Sequence, residues 1–101
     1  MIKIKIKFND NFVEEINVSG HANYDEYGKD IVCSSVSSIV ITSVNLIDKF
    51  DSKVVEVKQI DGNVNIRVIK KDEIVNKILI NMFEMLKELS NEYKKNVKII
   101  E

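Results

Sequence analysis

Ile2, Ile4, Ile6 and Phe8 alternate with Lys3, Lys5 and Lys7 at the start of the chain. A period of two puts the apolar side chains on one side of an extended segment and the lysines on the other, which makes a strand with one buried face. Such a strand needs neighbours and an apolar cover. Asn9 to Asn11 reads as a turn, and Phe12 to Val18 as the returning strand. Lys53–Ile60 and Asn63–Ile69 read as a second pair of strands. Asp61-Gly62 between them suits a tight turn with positive φ at both central residues. Val97–Ile100 reads as a last strand.

Two apolar stripes of helical period supply the cover. Val32, Val36, Ile39, Val40, Ser43, Val44 and Ile47 predict a helix from Asp30 to Lys49 or Phe50. Its β-branched content lowers helix propensity, but the spacing runs too long for one strand. Ile74, Val75, Ile78, Leu79, Met82, Phe83, Leu86 and Leu89 predict a second helix, with Asp72 as its N-cap and Asn91 near its end. The order is ββαββαβ. The simplest packing is an α+β fold in two layers, a mainly antiparallel sheet with two helices on one face. A chain of 101 residues that is 45% hydrophobic, with no proline and three glycines, is expected to be one domain over residues 1–101.

With 15 basic and 16 acidic residues, charge balance implies no nucleic-acid surface. Lys3, Lys5 and Lys7, like Lys94, Lys95 and Lys98, read as solvated strand faces. No run approaches the roughly 20 apolar residues of a membrane span, and the alternating N-terminus is not a signal peptide. A single cysteine cannot form an internal disulfide and fits a reduced, cytoplasmic setting. One Cys and one His are too few for a zinc site, and no cofactor is expected.

Those two residues, His21 and Cys33, are the only ones of their kind, and both lie in the stretch Ser19–Ser37. Taken singly, they read as a solvated imidazole and a small buried thiol. Their setting adds to this. Asp30 as N-cap would put Cys33 in the first helical turn, where unpaired amides and the helix dipole favour an anion. Gly20 lets the chain turn sharply after the second strand. If that strand end runs beside the helix start, His21 can reach Cys33, and the pair supplies a nucleophile and an acid–base group. Residues 22–29 would then be a lid or clamp hinged near Gly20 and Gly28. Asp25 and Asp30 are the carboxylates available to orient His21, and amides at the helix start are the nearest oxyanion donors. A module that grips a basic peptide through Asp25, Glu26 and Asp30 without cutting it is the competing reading. A redox sensor lacks a resolving cysteine.

"GHA" at Gly20–Ala22 and "GKDIVCSSVS" at Gly28–Ser37, with twelve residues from His21 to Cys33, resemble the ribosomal-processing cysteine proteases, the Prp family of bacteria such as Firmicutes. The likeness extends less specifically over the whole chain. It implies that His21 and Cys33 are a catalytic dyad. It also implies removal of the N-terminal extension of large-subunit ribosomal protein twenty-seven, a homodimer, and a mobile loop between the two residues. Family members cut after a pair of phenylalanines, before a small residue and a lysine-containing stretch. Gly20, Tyr24, Gly28, Asp30, Ser34 and Ser37 are the expected supporting or substrate-binding residues. Tyr24 and Tyr27 would enclose the aromatic side chains, and Asp25 and Glu26 would attract the lysines. Ser34 and Ser35 stand where the family often has Ala or Gly, and they remain small enough for a peptide backbone to approach.

Overall fold

The computed structural model describes residues 1–26 and 29–101. Its elements are β1 (Ile2–Asn9), β2 (Phe12–Ser19), α1 (Ile31–Phe50), β3 (Val55–Ile60), β4 (Asn63–Val68), α2 (Glu73–Glu92) and β5 (Val97–Ile100). One five-stranded sheet runs in the order β3-β4-β2-β1-β5. Every neighbouring pair is antiparallel except β1 and β5. The expected order and sheet type are therefore observed.

Alternation decides which face is buried. Ile2, Ile4 and Ile6 are buried, while Lys3, Lys5 and Lys7 are exposed. Phe8 departs from the stripe and is 46% exposed. The pairing shifts register between Lys7 and Phe8, so the alternation does not carry through to the turn. Asp61 (φ 28°) and Gly62 (φ 69°) both have positive φ, as expected for the turn between β3 and β4. β3 begins at Val55, two residues later than the sequence pattern, because the Asp51 carboxylate accepts the Lys53 amide at 2.9 Å and keeps the chain in a turn. Ile69 lies just beyond β4 and is half exposed.

The inner face meets the two helices. α2 packs on β2 and β5 and against α1. Val75, Leu79, Met82, Phe83 and Leu86 form its buried stripe. On α1 the buried set is Val32, Val36, Val40, Ser43 and Ile47. Ile39 and Val44 are only partly buried. Contrary to the expectation from apolar runs, α1 is long and apolar enough to cross a membrane by length and composition alone. One side of the helix faces the core, with Val32 and Ile47 fully enclosed, while Ile31, Ile41, Leu46 and Phe50 on its other side are exposed. The side of α1 away from α2 stands off from β3 and β4, and a groove opens between them.

Candidate active site

Asp30 is the knot that ties this region together. Its Oδ1 accepts the amides of Val32 (3.0 Å) and Cys33 (2.9 Å), which caps α1. Its Oδ2 accepts the amides of Tyr24 (2.9 Å) and Asp25 (3.4 Å) in the preceding loop. One carboxylate thus joins the loop to the helix start and holds Cys33 in the first turn. Asp30 is only 8% exposed. Burial would raise its pKa, but the amides of Cys33, Tyr24, Asp25 and Val32 outweigh burial and hold the group below the usual carboxylate range.

His21 is fixed from the other side. Gly20 has φ 92°, and a Cβ there would collide with the carbonyl oxygen of Met1, so glycine is required at this position. The Gly20 amide donates to the Gly62 carbonyl at 3.0 Å, extending the β2–β4 ladder to the residue before His21. Just after His21, Ala22 is buried, and its amide donates to Cys33 Sγ at 3.3 Å. Its carbonyl accepts Nδ2 of Asn96 at 2.9 Å. Among the described residues, no hydrogen bond joins the imidazole to Sγ. The two side chains instead line the same groove, of about 960 Å³.

Gly20, Asp30, Ser34 and Ser37 line that groove with them. The Ser34 hydroxyl donates to its own helix, at Asp30 O, whereas Ser37 is exposed in the groove. Tyr24 is elsewhere. Its ring meets Tyr93 edge-on, with centroids 5.5 Å apart, and so packs against the end of α2. Tyr27 and Gly28 lie outside the described residues. Asp30 is occupied by four backbone amides and does not bond His21. The same bonds alter the expected oxyanion donors. The Val32 and Cys33 amides are held by Oδ1 and the Ser34 amide by Asp30 O, which leaves the Ala22 amide as the donor aimed at the sulfur.

Sequence reasoning missed the apolar wall. Val36, Val40 and Val44 of α1 and Val57 and Val64 of the β3–β4 hairpin supply it. Partial burial of Val44 beside buried Val40 is the mark of a helix face split between core and groove.

Replacing Asp30 by alanine should release both the helix start and the loop. The melting temperature is expected to fall by about 4–8 °C, the effect of losing a typical cap in a domain of this size. Alkylation of Cys33 should slow as well, because the first turn frays. The stabilisation should also depend on pH. The folded carboxyl is held low, so its contribution is complete above the unfolded value near 4 and is lost as pH falls through the lower folded value. Asp30→Asn should flatten that part of the stability curve. Thermal melts from pH 2 to 7 check this, and identical acid limbs would contradict it.

Comparison with known proteins gives a consistent result. The family model described as "Cysteine protease Prp" matches residues 1–98. The ribosomal processing cysteine protease Prp of Staphylococcus aureus is 32% identical over 103 residues, covering 98% of this chain and 97% of the relative. The crystal structure of the S. aureus protease with a covalently linked product peptide superposes with a TM-score of 0.93 at 32% identity, covering 98% of this chain and 97% of that one. The same protease with a substrate peptide gives a TM-score of 0.87 at 31% identity, covering 99% and 98%.

Proposed function

The chain belongs to the Prp family of cysteine proteases, and from that premise we propose that Cys33 is its nucleophile and His21 its general acid and base. One observation carries the assignment. His21 and Cys33 line one groove, and the amide of the residue after His21 sits 3.3 Å from the sulfur. The Cys33 thiolate attacks the scissile carbonyl carbon and forms a tetrahedral oxyanion, and the Ala22 amide, which donates to Sγ before attack, can turn to the oxyanion once the sulfur is bonded to carbon. The C–N bond breaks as His21 protonates the leaving amine, and a thioester to Cys33 remains. His21 then takes a proton from water, which attacks the thioester and frees the new carboxylate.

The substrate in this reading is the N-terminal extension of large-subunit ribosomal protein twenty-seven. The groove runs from Cys33 past Ser37 to Val40, Val44, Val57 and Val64, so it offers an extended peptide an apolar floor beside the sulfur. We place the reaction in the cytoplasm, where a lone thiol stays reduced, and take the chain to be one domain that works as a homodimer. Ile31, Leu46, Ile74 and Met85 are exposed on the helical layer and give such a dimer an apolar surface, whereas the outer sheet face carries lysines. The test is incubation of the purified protein with the extended ribosomal protein, read by mass spectrometry. One new N-terminus beyond the extension is expected, and an intact substrate would overturn the assignment.

A further inference from the structure

We propose that Gly62, in the turn of the β3–β4 hairpin, is the positioning residue for His21. The proposal rests on the reading of His21 as the general acid and base. His21 is exposed, and its imidazole would be free to change rotamer if nothing packed against it. The hairpin packs against it. A Cβ built on Gly62 would lie 3.3 Å from both Cε1 and Nε2 of His21, so that edge of the ring rests on the bare α-carbon. Contacts that short are tighter than side chains normally tolerate, and the ring would have to move by a few tenths of an ångström to admit a side chain.

The backbone reinforces the contact. Ser19 pairs with Asn63, and the Gly20 amide donates to Gly62 O at 3.0 Å. The hairpin tip therefore holds the main chain just before His21 while its α-carbon supports the ring. Gly62 is suited to both roles. Its φ of 69° is required by the turn, and its missing side chain is required by the imidazole. The same hairpin lends Val57, Gln59, Asn63 and Val64 to the groove wall. One two-stranded element thus sets both the substrate wall and the acid–base group. General acid–base transfer is sensitive to such placement, because ångström-scale shifts of a reacting group cost about a hundredfold.

Gly62→Asn separates this role from a purely structural one. Asparagine tolerates positive φ, so the turn is kept while a Cβ presses on the ring. Cleavage of the extended ribosomal protein is expected to show kcat lowered at least tenfold, KM within threefold, and a melting temperature within a few degrees of wild type. Asp61→Asn, which keeps positive φ in the same turn and adds nothing near His21, should leave kcat unchanged. If kcat of Gly62→Asn stays at the wild-type value, or if both variants lose activity in proportion to stability, the positioning role is wrong. His21→Ala is run alongside. If it cleaves at the wild-type rate, the acid–base reading itself fails; if it is inactive while Gly62→Asn is fully active, only the hairpin inference fails. The wild-type protein provides a second measurement that requires no variant to fold. His21 is the only histidine, so its Hε1 resonance is assigned by inspection. A nuclear Overhauser contact from Hε1 to the Gly62 α-protons is expected, and its absence would overturn the packing on which the proposal stands.

Discussion

Cys33→Ala is expected to abolish cleavage of the extended ribosomal protein, by at least about a thousandfold, while the chain still folds. The size follows from chemistry, because removing the nucleophile of a covalent mechanism leaves only binding and oxyanion stabilisation. The fold should survive, because the Cys33 side chain is only partly buried and the link to Asp30 runs through its backbone amide. The side chain does make one polar contact, since Sγ accepts the buried Ala22 amide. Alanine leaves that donor unpaired, at a cost of about 1–3 kcal/mol. Cys33→Ser restores an acceptor there but not the reactivity of a thiolate. The serine variant should therefore regain stability and remain inactive. His21→Ala should cost less than Cys33→Ala, about 10²–10⁴-fold, the usual range for acid–base catalysis. Cleavage at the wild-type rate by Cys33→Ala would end the protease mechanism proposed here. It would favour a module that binds peptide, with cleavage coming from a contaminant.

The second large effect concerns the substrate. In a substrate carrying the phenylalanine pair that the family resemblance implies, replacing both by alanine is expected to lower kcat/KM by about a hundredfold or more. Full burial of a phenylalanine is worth about 1.5–3 kcal/mol, and the groove has an apolar wall of valines to receive it. The lysines of the peptide have weaker partners. Asp25 lines the groove, but it already accepts the Glu26 amide at 2.7 Å, and Glu26 is paired with Lys29 at 3.0 Å. An exposed ion pair contributes about 0.2–1 kcal/mol and is screened by salt. Neutralising the lysines should thus cost less than tenfold, and less still at high ionic strength. The wall residue Val57 is 40% exposed and can be changed without opening the core. Val57→Lys should weaken the phenylalanine peptide and leave the alanine peptide almost unaffected. A larger loss from the lysines than from the aromatic residues would reverse this account of recognition.

The strands, the helices, the cap of α1 and the turn between β3 and β4 were legible in the sequence, because each depends on residues a few positions apart. Ile2, Ile4 and Ile6 declare their buried face by a period of two. Asp30 caps α1 through amides two and three residues on, and Asp61-Gly62 has the positive φ its turn requires. The motif around His21 and Cys33 was enough to bring in the family. The contacts that shape the site join residues far apart in the chain, and only the folded sheet decides them. Asn96 reaches the Ala22 carbonyl across 74 positions. Tyr24 meets Tyr93 edge-on at the end of α2 and does not line the groove. The helical period of α1 marks a wide apolar face, but it does not say which valines meet the core and which the groove. That division follows from α1 leaning on α2 and standing away from β3 and β4. The glycine of a hairpin turn reads as turn chemistry alone in the sequence, and it becomes a platform for His21 only when the β2–β4 ladder brings Gly20 to Gly62.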